Sequence, residues 1–554
     1  MIGVIADRAD HDVVREFFEM FKTPWEFFRE DRRYDVLLCA GDHRGDVSAK
    51  LVVVYAGRRT NADSEPEIQG VRERMASAIF SDGEACIPIY GRAITFVGKT
   101  GWLLNEKKSG ECAAYIEDTG EGSRARIGYD LFSEVRTLLT VGQPPVNASI
   151  PTLELHISFL RELITGCGIP LVEIPCVPDG FQFVACLTHD VDHPSIRQHK
   201  WDHTMFGFVY RATVGSLRKL IGGEISFRDF SKNWLAVLKL PFVYLGLAKD
   251  FWREFADRYQ LLEQDFRSTF FVIPYKHRPG ISSNGPAPSF RASEYGAQDI
   301  ADILGKLRTN GHEVGLHGID AWADSSKGQE ELQEIQRLTG IAGMGVRMHW
   351  LYYDQNTPGT LENAGALYDS TFGYNENVGY RAGTTQVYKP LQATQLLELP
   401  LHVMDTALFY PSRLELSQKQ ASVVLEQIQN NAVRFGGVLT VNWHDRSLAP
   451  ERLWDAPYRN LLASMKNRGA WFATAGQAVS WFRKRRSATF EMDPVNPETV
   501  YVRLPTQQAD SLPTLRLRTH KKGPFSADEA RPAVKFVDVP IDEGYQHALV
   551  SGAN

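Results

Sequence analysis

The sequence predicts an α/β protein: a distorted (β/α) barrel preceded by a small α/β domain and followed by a short β appendage. Three observations predict this class. Between residues 181 and 486, short apolar runs alternate with helical patterns, which is typical of a parallel sheet closed or nearly closed into a barrel. Conspicuous polar residues follow the ends of these runs, where such folds place their chemistry. Outside that range the patterns change, to a βαβ order before residue 150 and to proline-separated short runs after residue 487.

Length and composition set the broad class. At 554 residues the chain has room for about three domains. Its apolar fraction of 43% and charged fraction of 23% are ordinary for a soluble globular protein. A formal net charge of -6 gives no reason to expect nucleic acid as a partner. The six cysteines form neither a CxxC pair nor a zinc-finger spacing, so we interpret them as buried thiols.

Targeting signals are not evident in the sequence. The first eight residues lack the basic start and apolar core of a secretory signal, and no run of about 18 apolar residues could span a membrane. These features predict a cytoplasmic protein, with peripheral contact to the inner face of the membrane as an option. The oligomeric state cannot be predicted from them.

Residues 1–150 are predicted to form the small α/β domain, for which no role is evident. A helical pattern at Val13–Phe21 lies between two apolar runs, and further strand-like runs follow. The predicted strands are Ile2–Ala6, Val36–Cys39, Leu51–Tyr55 and Ala93–Val97. Residues 151–180 are predicted to be a linker that contains a helix at Leu153–Thr165.

Residues 181–486 are predicted to form the barrel. Its strands are predicted at Phe183–Thr188, Ser268–Ile273, His312–Leu316, Gly345–His349, Leu396–Leu401, Val438–Trp443 and Trp471–Ala473. Residues 487–554 are predicted to be the β appendage, with alternating runs at Val500–Leu504 and Leu515–Arg518.

A long insertion, residues 197–262, separates the first barrel strand from the second. It is rich in aromatic side chains with interleaved arginine and lysine. A long excursion at the rim of a barrel indicates a helical lid or a lipid-facing surface. The alternative is an amphipathic subdomain that only packs against the barrel.

The first polar cluster is Cys186-Leu-Thr-His-Asp-Val-Asp-His-Pro194. Because a strand places residues i and i+2 on the same side, Asp190 and Asp192 should project together from its end. Two adjacent carboxylates repel, and a bound cation is one way to keep both ionised. We therefore predict a metal site in which one carboxylate binds the metal and the other transfers protons. The alternative is a solvated Asx-rich turn.

The second cluster is Gly311-His-Glu-Val-Gly-Leu-His-Gly-Ile-Asp-Ala-Trp322. Its strand ends at His317, where the imidazole could reach a metal bound by Asp192 on a neighbouring strand. Zinc accepts nitrogen and oxygen ligands in a tetrahedral set and keeps one position open for water when it is catalytic. A lone histidine after a strand is usually structural, so the inference depends on the two clusters together.

Motifs in the expected order make residues 181–486 resemble the NodB-type polysaccharide deacetylases of carbohydrate esterase family 4. They are Thr-His-Asp-Val-Asp at 188–192, Ser-Thr-Phe-Phe-Val at 268–272, Gly-His-Glu-Val-Gly-Leu-His at 311–317, a strand centred on Arg347, Leu-Glu-Leu-Pro at 397–400, and a last apolar strand ending in His444. The resemblance implies a NodB-type barrel, in the variant whose first motif is Asp-Val-Asp. It also implies a divalent metal, zinc in the first place, with cobalt, nickel or manganese as alternatives.

The resemblance implies a role for each matching residue. Asp190 would be the general base, held by Arg347, and His444 would be the general acid. Asp192 and His317 would bind the metal. The chain departs from the family pattern where a second histidine is expected four residues after His317, because Ala321 stands there.

The third metal ligand is therefore predicted from this chain alone. One turn of helix after His317 would offer Asp320 at i+3. His349 and His193 are further candidates. We also predict that His349, Tyr380 and Arg381 contact substrate, since they lie in aromatic, glycine-rich stretches after barrel strands.

The predicted activity is metal-dependent hydrolysis of an N-acetyl amide on a sugar or polysaccharide precursor. The resemblance implies an N-acetylated carbohydrate as the partner. Two alternatives remain open: a hydrolase of a small non-sugar amide, and a catalytically silent protein that binds glycans or serves in assembly. Asp405 is a candidate for orienting a catalytic histidine, or it caps the segment that follows.

Overall fold

The computed structural model describes residues 1–41, 49–64, 70–74, 78–81, 83, 85–99, 103–120, 122–493, 499–505, 512–520, 536–541 and 545–549. The chain divides into two compact units. The first contains Met1–Gly180, Tyr380–Leu391 and Ser480–Asn554, and the second contains Phe181–Gly379 and Gln392–Val479. Within the described part of the chain, no helix combines the length and apolarity needed to cross a bilayer.

The second unit is built on a nine-stranded sheet whose paired strands are all parallel. In chain order the strands are β1 (Phe183–Val191), β2 (Thr269–Val272), β3 (Glu313–Gly318), β4 (Val346–Met348), β5 (Tyr368–Asp369), β6 (Leu397–Glu398), β7 (Val403–Met404), β8 (Val438–Asn442) and β9 (Ala470–Ala473). The spatial order is β6-β5-β4-β3-β2-β1-β8-β7, and β9 also pairs with β1. This confirms the predicted α/β class with a parallel sheet.

The sheet is curled and open rather than a closed barrel. Its path ends at β6 and β7, and among the described strands those two do not pair with each other. All nine residues of β1 are buried, which explains why this strand reads as a continuous apolar run instead of an alternating one. The sequence did not predict β5 and β7, because two residues are too few to show a period.

Helices connect the strands of the second unit. They are His203–Tyr210, Ser216–Ile221, Phe227–Tyr244, Phe255–Leu262, Ala301–Thr309, Ser325–Thr339, Thr357–Ala364, Asp405–Phe409, Gln418–Phe435 and Asp455–Asn467, followed by Ala475–Ser487. The first four of these lie in the insertion. Asp324 and Ser417 cap the helices that follow them by accepting backbone N–H bonds.

The first unit contains an eleven-stranded mixed sheet. Its strands are Ile2–Ile5, Trp25–Phe27, Val36–Ala40, Leu51–Tyr55, Gly70–Arg74, Ala78–Ser81, Cys86–Ile89, Ala93–Val97, Leu104–Glu106, Cys112–Asp118 and Ser123–Ile127. Helices His11–Phe21, Leu131–Thr140 and Thr152–Gly166 complete this part. The last of these, expected within a linker, has eleven buried residues and belongs to the core of the unit.

The C-terminal residues contribute short strands to the first unit. Leu171–Glu173 pairs with Leu515–His520, which pairs with Phe536–Ile541, and a second sheet contains Thr489–Met492, Thr499–Arg503 and Tyr545–Leu549. All of these pairs are antiparallel. The rest of the predicted appendage, including 494–498, 506–511 and 521–535, lies outside the described residues.

Candidate metal centre

Several strands of the second unit bring polar side chains to one edge of the sheet. Asp190 lies in β1 with Asp192 just beyond its end, His317 lies in β3, and His349 follows β4 directly. The register pairs His317 with Arg347, and both strands are parallel to β1. Because the carboxyl ends of parallel strands meet at the same edge, these side chains converge as the sequence predicted.

Three potential ligand atoms lie close together at this edge. Asp192 Oδ1 is 3.4 Å from His317 Nε2 and 3.4 Å from His349 Nδ1, and the two ring nitrogens are 3.2 Å apart. A tetrahedral zinc site with bonds of about 2.0 Å would separate its ligand atoms by about 3.3 Å. The spacing of the three atoms therefore fits a single small divalent cation.

The protonation of the two imidazoles supports the same conclusion. His317 Nδ1 lies 2.9 Å from the main-chain oxygen of Arg347, and His349 Nε2 lies 3.1 Å from that of Arg291. A carbonyl oxygen can only accept, so each of these nitrogens carries the proton. The opposite nitrogens, Nε2 of His317 and Nδ1 of His349, then present lone pairs to each other and to Asp192.

Asp192 Oδ1 is buried and accepts no hydrogen bond from the described residues. Three acceptor atoms thus face one another without a donor, an arrangement that a cation would satisfy. Asp192, His317 and His349 form a group of three potential metal ligands within the described residues. Their side chains fit a divalent metal.

The pKa shifts hold two of these ligands in the forms that bind metal. Burial opposes the charge of Asp192, but the close approach of His317, His349 and His444 outweighs it and holds the pKa of Asp192 well below the usual range. Burial lowers the pKa of His349, and this outweighs the opposing effect of Asp192. A carboxylate and a neutral imidazole are the forms required.

Asp190 lies next to this group and is held from both sides. Arg347 Nη1 donates to its Oδ1 at 3.0 Å, and Asn442 Nδ2 donates to its Oδ2 at 2.7 Å. Its Oδ2 is 4.0 Å from His317 Nε2. The carboxylate is therefore beside the candidate metal position and fixed in orientation.

Arg347 is itself fully enclosed. Its Nη1 also donates to Thr188 Oγ1 at 2.6 Å, its Nε and Nη2 donate to the main-chain and side-chain oxygens of Ser370, and its guanidinium lies 4.5 Å from the centre of the Phe271 ring. These contacts fix the face that Arg347 presents to Asp190.

His444 lies between Asp192 and Asp405. Its Nε2 is 3.8 Å from Asp192 Oδ2, while its Nδ1 is 2.6 Å from Asp405 Oδ1. Burial lowers the pKa of His444, but Asp405 and then Asp192 and Asp190 outweigh it and raise this pKa to about 9. The imidazole is therefore protonated at neutral pH, with Asp405 in the orienting position that was one of its two predicted roles.

The prediction of Asp320 as third ligand is corrected by the structure. The segment after β3 turns instead of forming a helix, and the next helix begins only at Ser325, so the i+3 relation to His317 does not apply. Asp320 Oδ1 accepts from the backbone of Ile281 at 2.8 Å, and its Oδ2 accepts from Lys327 at 3.1 Å. His349, predicted both as an alternative ligand and as a substrate contact, lies in the third position.

The predicted substrate contact of Tyr380 is not supported, because its side chain is only 1% exposed, which leaves no free face for stacking on a sugar. The predicted substrate contact of Arg381 stays a prediction. His193, the other alternative ligand, lies with its Nδ1 3.1 Å from His199.

Sequence reasoning missed two residues that orient the site. Asn442, in β8, binds both the backbone and the side chain of Asp190. Arg291 Nη2 donates to the main-chain oxygen of His349 at 2.8 Å, and the main-chain oxygen of Arg291 accepts a hydrogen bond from His349 Nε2 at 3.1 Å. The polar Asn442 inside the apolar run Val438–Trp443 was an available signal for the first, whereas nothing near Arg291 in the sequence indicated the second.

We expect His349→Ala to lower zinc affinity more than about 100-fold, because it removes a direct ligand. Asp320→Ala, the matched control, should leave zinc affinity unchanged within experimental error. Both can be measured by competition with a chelator on the purified full chain. Loss of zinc in the Asp320 variant alone would restore the original assignment.

No protein-family model matches this chain, and no curated protein matches it. Several solved structures are similar to part of it. A candidate polysaccharide deacetylase from Mycobacterium smegmatis is 18% identical, with 56% of this chain and 95% of that chain covered and a TM-score of 0.35. An allantoinase is 15% identical, with 55% of this chain and 91% of that chain covered and a TM-score of 0.33. The catalytic domain of a peptidoglycan N-acetylglucosamine deacetylase from Eubacterium rectale is 12% identical, with 55% of this chain and 93% of that chain covered and a TM-score of 0.25.

Proposed function

We propose that this chain is a metal-dependent hydrolase that removes the acetyl group from an N-acetylated sugar or polysaccharide precursor. The observation that carries the proposal is the convergence of three lone-pair atoms, from Asp192, His317 and His349, beside the oriented carboxylate of Asp190. The chemistry of these residues supports amide hydrolysis, and the sugar substrate follows from the sequence resemblance.

Asp192, His317 and His349 would hold the metal, with zinc as the first expectation because the ligands are two imidazoles and one carboxylate. Cobalt, nickel and manganese remain alternatives. Bound there, the metal would lower the pKa of a coordinated water and polarise the amide carbonyl.

Asp190 is assigned as the general base, which accepts the proton of the attacking water. Its carboxylate does not belong to the ligand group, and hydrogen bonds from Arg347 and Asn442 fix its orientation. Because two hydrogen bonds already fix the buried carboxylate, little conformational entropy is lost when it accepts the proton.

His444 is assigned as the general acid, which gives a proton to the departing nitrogen. An amine is a poor leaving group unless it is protonated as the C–N bond breaks. Because Asp405 raises the pKa of His444 to about 9, the imidazole carries this proton at neutral pH. His444 and Asp190 thus supply an acid and a base next to the same ligand group.

The proposal is tested by measuring acetate release from N-acetylhexosamine oligomers by the zinc-loaded full chain. A chelator should abolish the release, and added zinc should restore it. Allantoin and simple acetamides serve as comparison substrates. Preferential turnover of those compounds would identify a small-amide hydrolase, and zinc binding without turnover of any of them would indicate the catalytically silent alternative.

The pH profile gives a separate prediction about Asp405. In Asp405→Asn the carboxylate that raises the pKa of His444 is gone, so His444 loses its proton at lower pH. Activity that requires protonated His444 should therefore begin to fall at a lower pH than in the wild type. The measurement is kcat/KM against pH for both proteins. An unchanged alkaline limb would contradict the assignment of His444 as the acid.

A further inference from the structure

The insertion, residues 197–262, has apolar side chains on two opposite faces. Its inner face packs into a buried cluster with Ile196 and Ala449, which includes Met205, Phe208, Ala212, Ala236, Leu240, Val243 and Trp252. This cluster agrees with the simpler prediction of an amphipathic subdomain. It does not account for the outer face.

The helix Phe227–Tyr244 shows the two faces most clearly. Successive helical residues are rotated by about 100°. Its buried side chains fall on one side, namely Asn233, Ala236, Leu240 and Val243. A second apolar stripe runs along the opposite side, at Phe227 (71% exposed), Trp234 (41%), Leu235 (50%), Leu238 (67%) and Phe242 (53%), and continues to Leu245 (72%) just beyond the helix.

The preceding stretch, His203–Ile221, repeats this pattern. Its exposed apolar residues are spaced by four, four, three and four positions, so they also form one stripe. They are Phe206, Tyr210, Val214, Leu217 and Ile221, with exposures of 43% to 79%. Their buried counterparts are Met205, Phe208, Ala212 and Ser216, on the other side.

This concentration of exposed apolar residues is confined to the insertion. Among the described residues, 22 large apolar side chains are exposed, and 14 of them lie between Trp201 and Leu261. Single exposed apolar residues need no explanation, but a contiguous set marks an interaction surface.

The charge of the same segment identifies the partner. Residues 197–262 contain eleven lysines and arginines against six acidic residues, a formal charge of +5 in a chain whose net charge is -6. Lys239 and Lys232, the latter 3.0 Å from Asp229, are exposed along one edge of the outer stripe of the helix Phe227–Tyr244. Apolar side chains rimmed by cations are typical of helices that lie in the interface of an anionic membrane.

A groove beside that helix has the same character. It has a volume of about 660 Å³ and an apolar lining that includes Leu235, Phe251 and Leu261. Five basic residues also line it, among them Lys239 and Lys249, against the two acidic residues Glu254 and Asp455. An acyl chain with an anionic headgroup matches such a lining.

We propose that the outer face of the insertion docks on the surface of an anionic phospholipid bilayer. The apolar stripes enter the boundary between headgroups and acyl chains, and the flanking lysines contact the lipid phosphates. The proposal does not depend on the hydrolase assignment, and either can fail alone.

The test is flotation of the full chain with vesicles of phosphatidylcholine, with and without about 30% phosphatidylglycerol. The wild type should float with the anionic vesicles only, and salt should weaken the binding. The triple variant Leu238→Ser/Phe242→Ser/Leu245→Ser should reduce the bound fraction at least about tenfold. A matched triple outside the insertion, Val146→Ser/Leu367→Ser/Val423→Ser, removes exposed apolar residues as well and should bind as the wild type does.

Thermal unfolding of each variant checks that it is folded. If the apolar triple does not fold, Lys232→Glu/Lys239→Glu replaces it and should abolish binding to anionic vesicles, because both side chains are exposed. Equal binding by wild type and folded variants would overturn the proposal. So would a wild type that ignores vesicles and forms a stable dimer in light scattering, since a second copy would then cover this face.

Discussion

Replacing Asp190 by asparagine is expected to lower kcat about 10²- to 10⁴-fold, the usual contribution of a general base, while zinc stays bound. Asparagine has nearly the same shape, and its side-chain oxygen can still accept from Arg347. It cannot take a proton from water. Because Asp190 is not among the three ligand residues, the metal site should be intact.

The Asp190→Asn experiment needs two measurements on each protein, zinc content and single-turnover acetate release. Asp192→Asn is the matched control, since it lies two residues away and changes a ligand. It should lose zinc and activity together. If Asp190→Asn also loses zinc, or keeps wild-type activity, then Asp190 is not the base.

Replacing Arg347 by methionine is expected to lower the free energy of unfolding by about 3–5 kcal/mol. The side chain of Arg347 is 0% exposed, that of Asp190 is 3% exposed, and the ion pair between them is 3.0 Å long. Methionine leaves the Asp190 carboxylate buried without its cation and leaves the oxygens of Ser370 without a donor. Urea unfolding followed by circular dichroism measures this change.

The Arg347 variant should also lose activity, because Asp190 loses the donor that fixes the orientation of its carboxylate. Arg337→Met is the matched control. Arg337 pairs with Glu334 on the surface, where ion pairs contribute little, and its loss should leave unfolding and kcat/KM unchanged. Equal stability of the two variants would contradict the account of Arg347.

The first acidic cluster could be located from the sequence because its geometry is local. A strand with period two places Asp190 and Asp192 on one side, and both carboxylates reach His317 in the structure. The parallel sheet was predicted for a similar reason, since buried strands such as β1 read as apolar runs of the right length.

The third ligand could not be located in this way. Its identity depends on how the chain continues after β3 and β4, which is set by tertiary contacts. After β3 the chain turns, which directs Asp320 to Lys327. After β4, Trp350 and Leu351 adopt positive φ values of 67° and 53°, a conformation that non-glycine residues rarely take and that no sequence pattern announces. His349 precedes this turn and is aimed at His317.

The function assigned to Tyr380 failed for a related reason. A glycine- and aromatic-rich stretch is typical of a carbohydrate-binding loop, but it is also typical of a packed one. In this chain Tyr380 is buried in the first unit, where its backbone binds Ala148 and Gln143. Composition alone does not distinguish the two outcomes.

The most direct test of the account is the coordination of zinc in the full chain, determined by X-ray absorption together with metal analysis. We predict one zinc ion per chain, bound by two imidazole nitrogens and one carboxylate oxygen at zinc–ligand distances of about 2.0–2.1 Å. We predict no sulfur ligand. One imidazole should disappear in His317→Ala and in His349→Ala. A protein that binds no zinc, or whose zinc ligands persist in both variants, would contradict the account.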